Sequence, residues 1–191
     1  VAAVNEYATN KYLNVGYTPA QPVAFDHSFH AGPDSVLGLD CRYCHFNVER
    51  GRHAGVPPTD VCMNCHTLVK TSSPEIQKIR EAHEQGVPIK WVRVHKLPDF
   101  AYFDHSAHVN KGVSCVVCHG RVDQMDEVRV VAPLSMGWCL ECHRNPAPNI
   151  RDKKLITNLA WKPEGDPAEL GKQFMDKYNV HPRTDCSTCH R

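Results

Sequence analysis

The chain has 191 residues, with 22 Lys and Arg against 21 Asp and Glu, a formal net charge of +1, and 10 Cys, 13 His, 14 Pro and 11 Gly. With no basic run, no phosphate loop and no apolar stretch of the ~20 residues that span a bilayer, it is neither a nucleic-acid binder nor an integral helix bundle. Aromatic residues are 8% of the chain and the mean hydropathy is −0.45, so regular structure should be short and loops plentiful.

In chain order, residues 1–13 allow a first helix. Phe25-Asp26-His27-Ser28-Phe29-His30 follows, and then Cys41/Cys44/His45 and Cys62/Cys65/His66, two copies of Cys-x-x-Cys-His. The best helix comes next, with Ser73 as N-cap, Pro74 at the first helical position, Ile76 and Ile79 on one face, and Gly86 as the stop. Phe103-Asp104-His105-Ser106-Ala107-His108 repeats the earlier segment at an offset of 78. Again two motifs follow, Cys115/Cys118/His119 and Cys139/Cys142/His143. Asp166-Pro167-Ala168-Glu169 opens a helix with Leu170, Phe174 and Tyr178 on one side. A fifth motif, Cys186/Cys189/His190, ends the chain. No segment alternates as a strand would.

Five copies of one motif consume all ten cysteines. Two thiols three residues apart can become thioethers on a porphyrin edge, and the next histidine can bind the iron, so the motif predicts five covalently bound haem c groups. A disulfide framework gives no reason for a histidine after every pair. A zinc ribbon accepts the spacing, but at about 7% histidine per position five such histidines by chance have odds on the order of one in a million. At about 38 residues per haem, the haems themselves must form the core. The expected fold is therefore mostly irregular with short α-helices, wrapped around five haems. Ferric haems with ionised propionates bring the net charge to about −4. The plan is an N-terminal segment 1–19, a first diheme unit with linker helix 20–94, a second diheme unit 95–150, and a C-terminal segment 151–191 with the fifth haem.

Eight histidines remain outside the motifs. His27, His30, His105 and His108 stand in repeated His-x-x-His pairs upstream of the motifs and are candidate axial ligands, as is His95. His53 is a weaker candidate, and His83 and His181 read as solvated. Met136, three residues before Cys139, is the candidate thioether ligand, which would raise its haem's potential. Met125 reads better as a core gap-filler.

The paired Phe-x-His-x-x-His before each Cys-x-x-Cys-His resembles the class III multihaem cytochromes c. There the first histidine of a pair usually ligates the haem that follows, and the second a different one. More specifically, Gly16-Tyr17-Thr18-Pro19-Ala20-Gln21-Pro22, Cys41-Arg42-Tyr43-Cys44-His45, Ala54-Gly55-Val56-Pro57-Pro58, Cys62-Met63-Asn64-Cys65-His66, Val94-His95-Lys96-Leu97-Pro98-Asp99 and Leu134-Ser135-Met136-Gly137-Trp138-Cys139 resemble the pentahaem subunit of bacterial alternative complex III, a quinol-oxidising membrane assembly. That resemblance implies an electron-transfer subunit that is not itself an enzyme. It implies membrane and iron-sulfur partner subunits, and a monohaem cytochrome, copper protein or terminal oxidase as acceptor. It further implies a place on the periplasmic face of the inner membrane, reached through the complex or an N-terminal anchor. Position 1 is Val, and the family's membrane helix would precede it, leaving Val1 to Val4 as its tail. A free periplasmic shuttle is the alternative. A nitrite- or hydroxylamine-processing enzyme would need one open iron, and candidate ligands here are at least as many as the irons.

Overall fold

A computed structural model describes residues 14–32 and 34–190, so the helix expected over 1–13 lies outside the described residues. The helices are α1 (His27–His30), α2 (Cys41–Cys44), α3 (Thr59–His66), α4 (Pro74–Glu84), α5 (His105–Val109), α6 (Cys115–His119), α7 (Met136–Arg144), α8 (Pro167–Tyr178) and α9 (Cys186–Cys189). Among the described residues there is no strand, only isolated bridges such as Ala101 to His190 and Val113 to Ile150. The architecture is thus short helices joined by irregular loops.

The helix expected from Ser73 forms as α4, with Pro74 in its first turn and Ser73 at the cap position. Ile76 and Ile79, one turn apart, turn inward and meet Val23 and Met63, with Ile89 and Trp91 packed alongside. Gly86 follows at φ +65°, a conformation glycine adopts without strain. Glu75 at the N-terminus accepts the Ala24 N–H at 2.9 Å, which ties the α1 approach to α4. The segment before the first motif is thereby held against the helix that follows the second.

The second expected helix forms as α8. Asp166 accepts the Ala168 N–H at 2.9 Å as N-cap, and Phe174 stacks on Tyr178 with ring centroids 5.8 Å apart. Gly171 faces the 3₁₀ turn Ala147–Asn149, where a Cβ would stand 1.7 Å from the Ala147 carbonyl oxygen. Only glycine permits that approach.

A second cluster joins Val48, Val109 and Ile156, with Ala54 against it. These residues are far apart in the chain, so the loop after the first motif, the end of α5 and the segment around residue 156 share one packing point. The two clusters hold four and three buried residues. At about 1.5–3 kcal/mol per fully buried large side chain, they cannot by themselves offset the ordering of a chain this long.

Candidate metal centres

Each motif sits on its own short helix. Its two cysteines, at i and i+3, share one face, and the histidine ends the turn or follows it. Polar caps start several of them: Asp40 accepts the Arg42 N–H at 2.8 Å before α2, and Ser135 Oγ accepts the Trp138 N–H at 3.2 Å before α7.

The histidines upstream of the motifs are placed by a duplicated device. Phe25 lies 4.8 Å from His27 at 87° and 4.6 Å from His30 at 26°. Phe103 lies 4.8 Å from His105 at 85° and 4.6 Å from His108 at 29°. Asp26 and Asp104 cap α1 and α5 through their carboxylates. Their backbone carbonyls accept the Nδ1–H of His30 at 2.7 Å and of His108 at 2.8 Å. The repeat in sequence is thus a repeat in side-chain geometry.

Those rings face motif histidines at a consistent spacing. His30 and His66 have ring centroids 6.3 Å apart, His108 and His143 6.0 Å, and His105 and His119 6.4 Å with ring planes only 6° apart. With metal–nitrogen bonds of about 2 Å and ring atoms about 1.15 Å from the centroid, two imidazoles gripping one metal from opposite sides have centroids roughly 6.3 Å apart. His45 is, after burial, the next influence that lowers the His27 pKa, which makes these two rings neighbours. Each first histidine of a pair thus lies toward the next motif, and each second histidine toward the motif after it.

Which nitrogen is free follows from the hydrogen bonds. Nδ1 of His45 meets the Gly55 carbonyl at 2.7 Å, that of His66 meets Val69 at 3.1 Å, that of His143 meets Arg183 at 2.7 Å and that of His190 meets Phe100 at 3.3 Å. His105 Nδ1 donates to the Arg52 carbonyl at 2.6 Å. Each bond fixes the tautomer that leaves Nε2 as the lone-pair donor, the arrangement a metal-binding imidazole needs. The His27 Nδ1 is buried with no partner. Burial holds His27 neutral by pushing its pKa down to about 4, with His45 and His30 adding to the shift. Burial likewise pushes His119 down to about 3, with His95 and His105 next, and lowers His108. In all three, burial favours the neutral ring.

The remaining candidates separate by their surroundings. His95 stands beside His119, its Nε2 3.4 Å from the His119 Nδ1 and the rings 4.4 Å apart at 84°. That is too close for a metal between them. Burial, then His105, lowers the His95 pKa. His53 is exposed. His83 bonds Asp60 at 3.2 Å and His181 bonds Asn179 at 2.7 Å. Met136 opens α7 and is 65% exposed, whereas Met125 is buried. Among the described residues no three Cys, His, Asp or Glu side chains converge on one point as a zinc site requires.

Contacts between motifs give them a spatial order that differs from their order in sequence. Asn64 of the second motif donates to the Tyr43 hydroxyl of the first at 2.9 Å, and Cys62 lies beside Cys44. The first and third motifs meet at residues 156–157. The Ile156 carbonyl accepts from the Ser114 hydroxyl at 2.6 Å, and Thr157 donates to Asp40 at 2.8 Å. Cys41 and Cys115 lie close enough to interact, which raises the first thiol's pKa and lowers the second's. Burial pushes Cys118 up to about 12, with Cys142 and Cys139 of the fourth motif its next influences. Cys139 in turn lies near Cys189 of the fifth. Sequence reasoning missed Ser114 and Thr157 and the carbonyls at Gly55, Arg183 and Arg52. No residue-type signal marks a carbonyl, because every residue carries one.

Paired imidazoles beside Cys-x-x-Cys-His motifs suit haem iron, whose chemistry is the exchange of single electrons. The class this defines is a multihaem cytochrome, and the comparisons agree. Residues 3–98 match the class III cytochrome C family, and residues 101–191 match the family described as cytochrome c7 and related cytochrome c. The chain belongs to the class III type of multihaem cytochrome c, carries covalently bound haem c and works in electron transfer. It is 30% identical over 146 residues to the multiheme cytochrome c subunit of menaquinone reductase from Nitratidesulfovibrio vulgaris strain Hildenborough, covering 65% of this chain and 68% of that protein. No helix among the described residues is long and apolar enough to cross a membrane.

Proposed function

We propose that the chain carries five haem c groups and conducts electrons as a subunit of a membrane-bound quinol-oxidising complex of the alternative complex III kind. The observation that carries the electron-transfer part is the spacing of 6.0–6.4 Å across three histidine pairs, the span needed to hold one iron between two imidazoles. The ten motif cysteines are the attachment points and His45, His66, His119, His143 and His190 the proximal ligands. His27 pairs with His45, His30 with His66, His105 with His119 and His108 with His143. Met136 serves the fifth iron. It lies one turn before Cys139 on α7, and Cys139 is the thiol that neighbours Cys189.

Bound haem c supplies reversible one-electron ferric–ferrous chemistry. The chain's own part is positional. It anchors His30, His45, His66, His105, His108, His143 and His190 through Nδ1 to backbone carbonyls, keeps His27, His108 and His119 neutral by burial, and would offer two donor side chains to each iron so that oxygen and small anions find no vacancy. The attachment motifs run in the spatial order second, first, third, fourth, fifth, so the two ends that meet partners are the second and fifth motifs. Domain limits follow the duplication: 20–94 and 95–150 each carry two haems, and 151–191 closes the array.

The complex itself rests on the motif resemblance and on the relative in a menaquinone reductase. That relative favours a second reading, a complex in which electrons flow toward quinone. In either direction the subunit lies on the periplasmic face, with membrane and iron-sulfur subunits on one side and a soluble carrier or oxidase on the other. Membranes containing the whole assembly should reduce the haems when quinol is added, and the isolated chain should not. Reduction on addition of a soluble donor, followed by oxidation with quinone, would instead establish the reductase direction. Equal quinol-driven rates with and without partners, or nitrite turnover by the isolated chain, would refute a conducting subunit.

A further inference from the structure

We propose that His95 is a positioning residue for the third centre, accepting the Nδ1–H of His119 on its Nε2 and binding no metal itself. The inference rests on the reading above, in which His119 is a proximal haem ligand. Four of the five motif histidines direct Nδ1 at a backbone carbonyl. His119 directs it at another imidazole, 3.4 Å away.

Geometry rules out His95 as the partner of His119 across one iron. An iron shared by His95 and His119 would need ring centroids roughly 6.3 Å apart, and they are 4.4 Å apart and nearly perpendicular. His105 already meets that spacing, at 6.4 Å, with its plane 6° from that of His119. His95 therefore occupies the flank of His119, and its Nε2 lone pair points at the ring nitrogen remote from the metal. The His95 carbonyl accepts from Arg93 Nε at 3.1 Å, which helps to hold the segment in place.

The chemistry follows from the acceptor. An imidazole nitrogen is a stronger base than a peptide carbonyl, so the bond draws the Nδ1 proton away from His119 and makes that ring a stronger donor to iron. A stronger donor favours the ferric state and lowers the potential. His95 thus sets one centre of the array apart from the others, acting on it through His119, whereas the sequence alone makes it a candidate axial ligand.

The test uses the haem-loaded full chain with His95→Leu and His95→Gln. Three measurements are made: haem count by mass, spin state by electron paramagnetic resonance, and a spectroscopic redox titration. In His95→Leu all haems stay low-spin and one of the redox steps moves to higher potential. In His95→Gln, whose Oε1 can accept the same proton, that step returns toward the wild-type position. A new high-spin signal in either variant makes His95 an iron ligand and overturns the proposal, as do unmoved potentials in His95→Leu. If His95→Leu fails to load, His95→Ala replaces it with the same expectations. A wild-type protein lacking haem on Cys115 and Cys118 would instead overturn the underlying assignment of His119, a result the mass reads separately.

Discussion

The crossed pairing of histidines gives a prediction that sequence adjacency would not. His30 is nearer in sequence to His45 than to His66, yet the His30 and His66 centroids lie 6.3 Å apart, and His30 is locked in place by its Nδ1 bond of 2.7 Å to the Asp26 carbonyl. Truncating His30 to Ala removes the second axial donor from the iron of the second motif and leaves the first motif's pair of His27 and His45 intact. One centre in five then loses its sixth ligand, so about a fifth of the ferric haem should turn high-spin. The assay is electron paramagnetic resonance of His30→Ala in two backgrounds, one with Cys62→Ala and Cys65→Ala, the other with Cys41→Ala and Cys44→Ala, each with its haem count fixed by mass. Effects on one unit are non-additive. The high-spin signal should therefore vanish when the second motif is removed and persist when the first is removed. The reverse pattern would refute the pairing.

Further outcomes follow from the same geometry. His27→Ala and His105→Ala should each convert one low-spin haem to high spin, and spectra unchanged in both would contradict the assignment of first histidines to the motif that follows. Met136→His should lower the most positive redox step, because a second imidazole replaces a thioether; unchanged titration curves would remove Met136 from the fifth centre. Gly171→Ala places a methyl 1.7 Å from the Ala147 carbonyl, and should cost about 2–4 kcal/mol of stability in denaturant melts; a change under about 0.5 kcal/mol would contradict the packing of α8. Asp40 has its pKa lowered to about 2, chiefly by the Arg42 hydrogen bond, with Thr157 also contributing. The depressed carboxylate stabilises the fold above its unfolded value of about 3.9, and that contribution is lost as pH falls toward 2. With both partners exposed it amounts to no more than about 1 kcal/mol. Asp40→Asn should flatten the acid limb of a stability–pH curve over that window, and an unchanged limb would count against it.

Much of this molecule is legible in its residues because the informative signals are local. Ser73-Pro74 and Asp166-Pro167 mark helix starts by chemistry confined to one turn, and α4 and α8 begin there. The duplicated Phe-Asp-His-Ser-x-His segment reads as one device used twice, and the ring angles at Phe25 and Phe103 repeat within a few degrees. What the sequence withheld is long-range. His30 facing His66 depends on how α3 packs on α4 through Met63, Ile76 and Ile79. The meeting of the first and third motifs depends on the Ile156 carbonyl and the Thr157 hydroxyl, more than 40 residues beyond either motif's nearest partner in the bond. His95 stands in a segment whose spacing from the motifs suits an axial ligand equally well, and only the placement of its ring beside His119 separates the roles.

The central claim is that all ten cysteines hold haem and that histidine pairs close four of the irons, with Met136 on the fifth. The most direct single measurement is the mass of the denatured protein together with its free-thiol titre. The account predicts the 21.5 kDa polypeptide plus five covalently retained haems and no titratable thiol. Fewer haems with two or more free thiols, or bound zinc in their place, would contradict it.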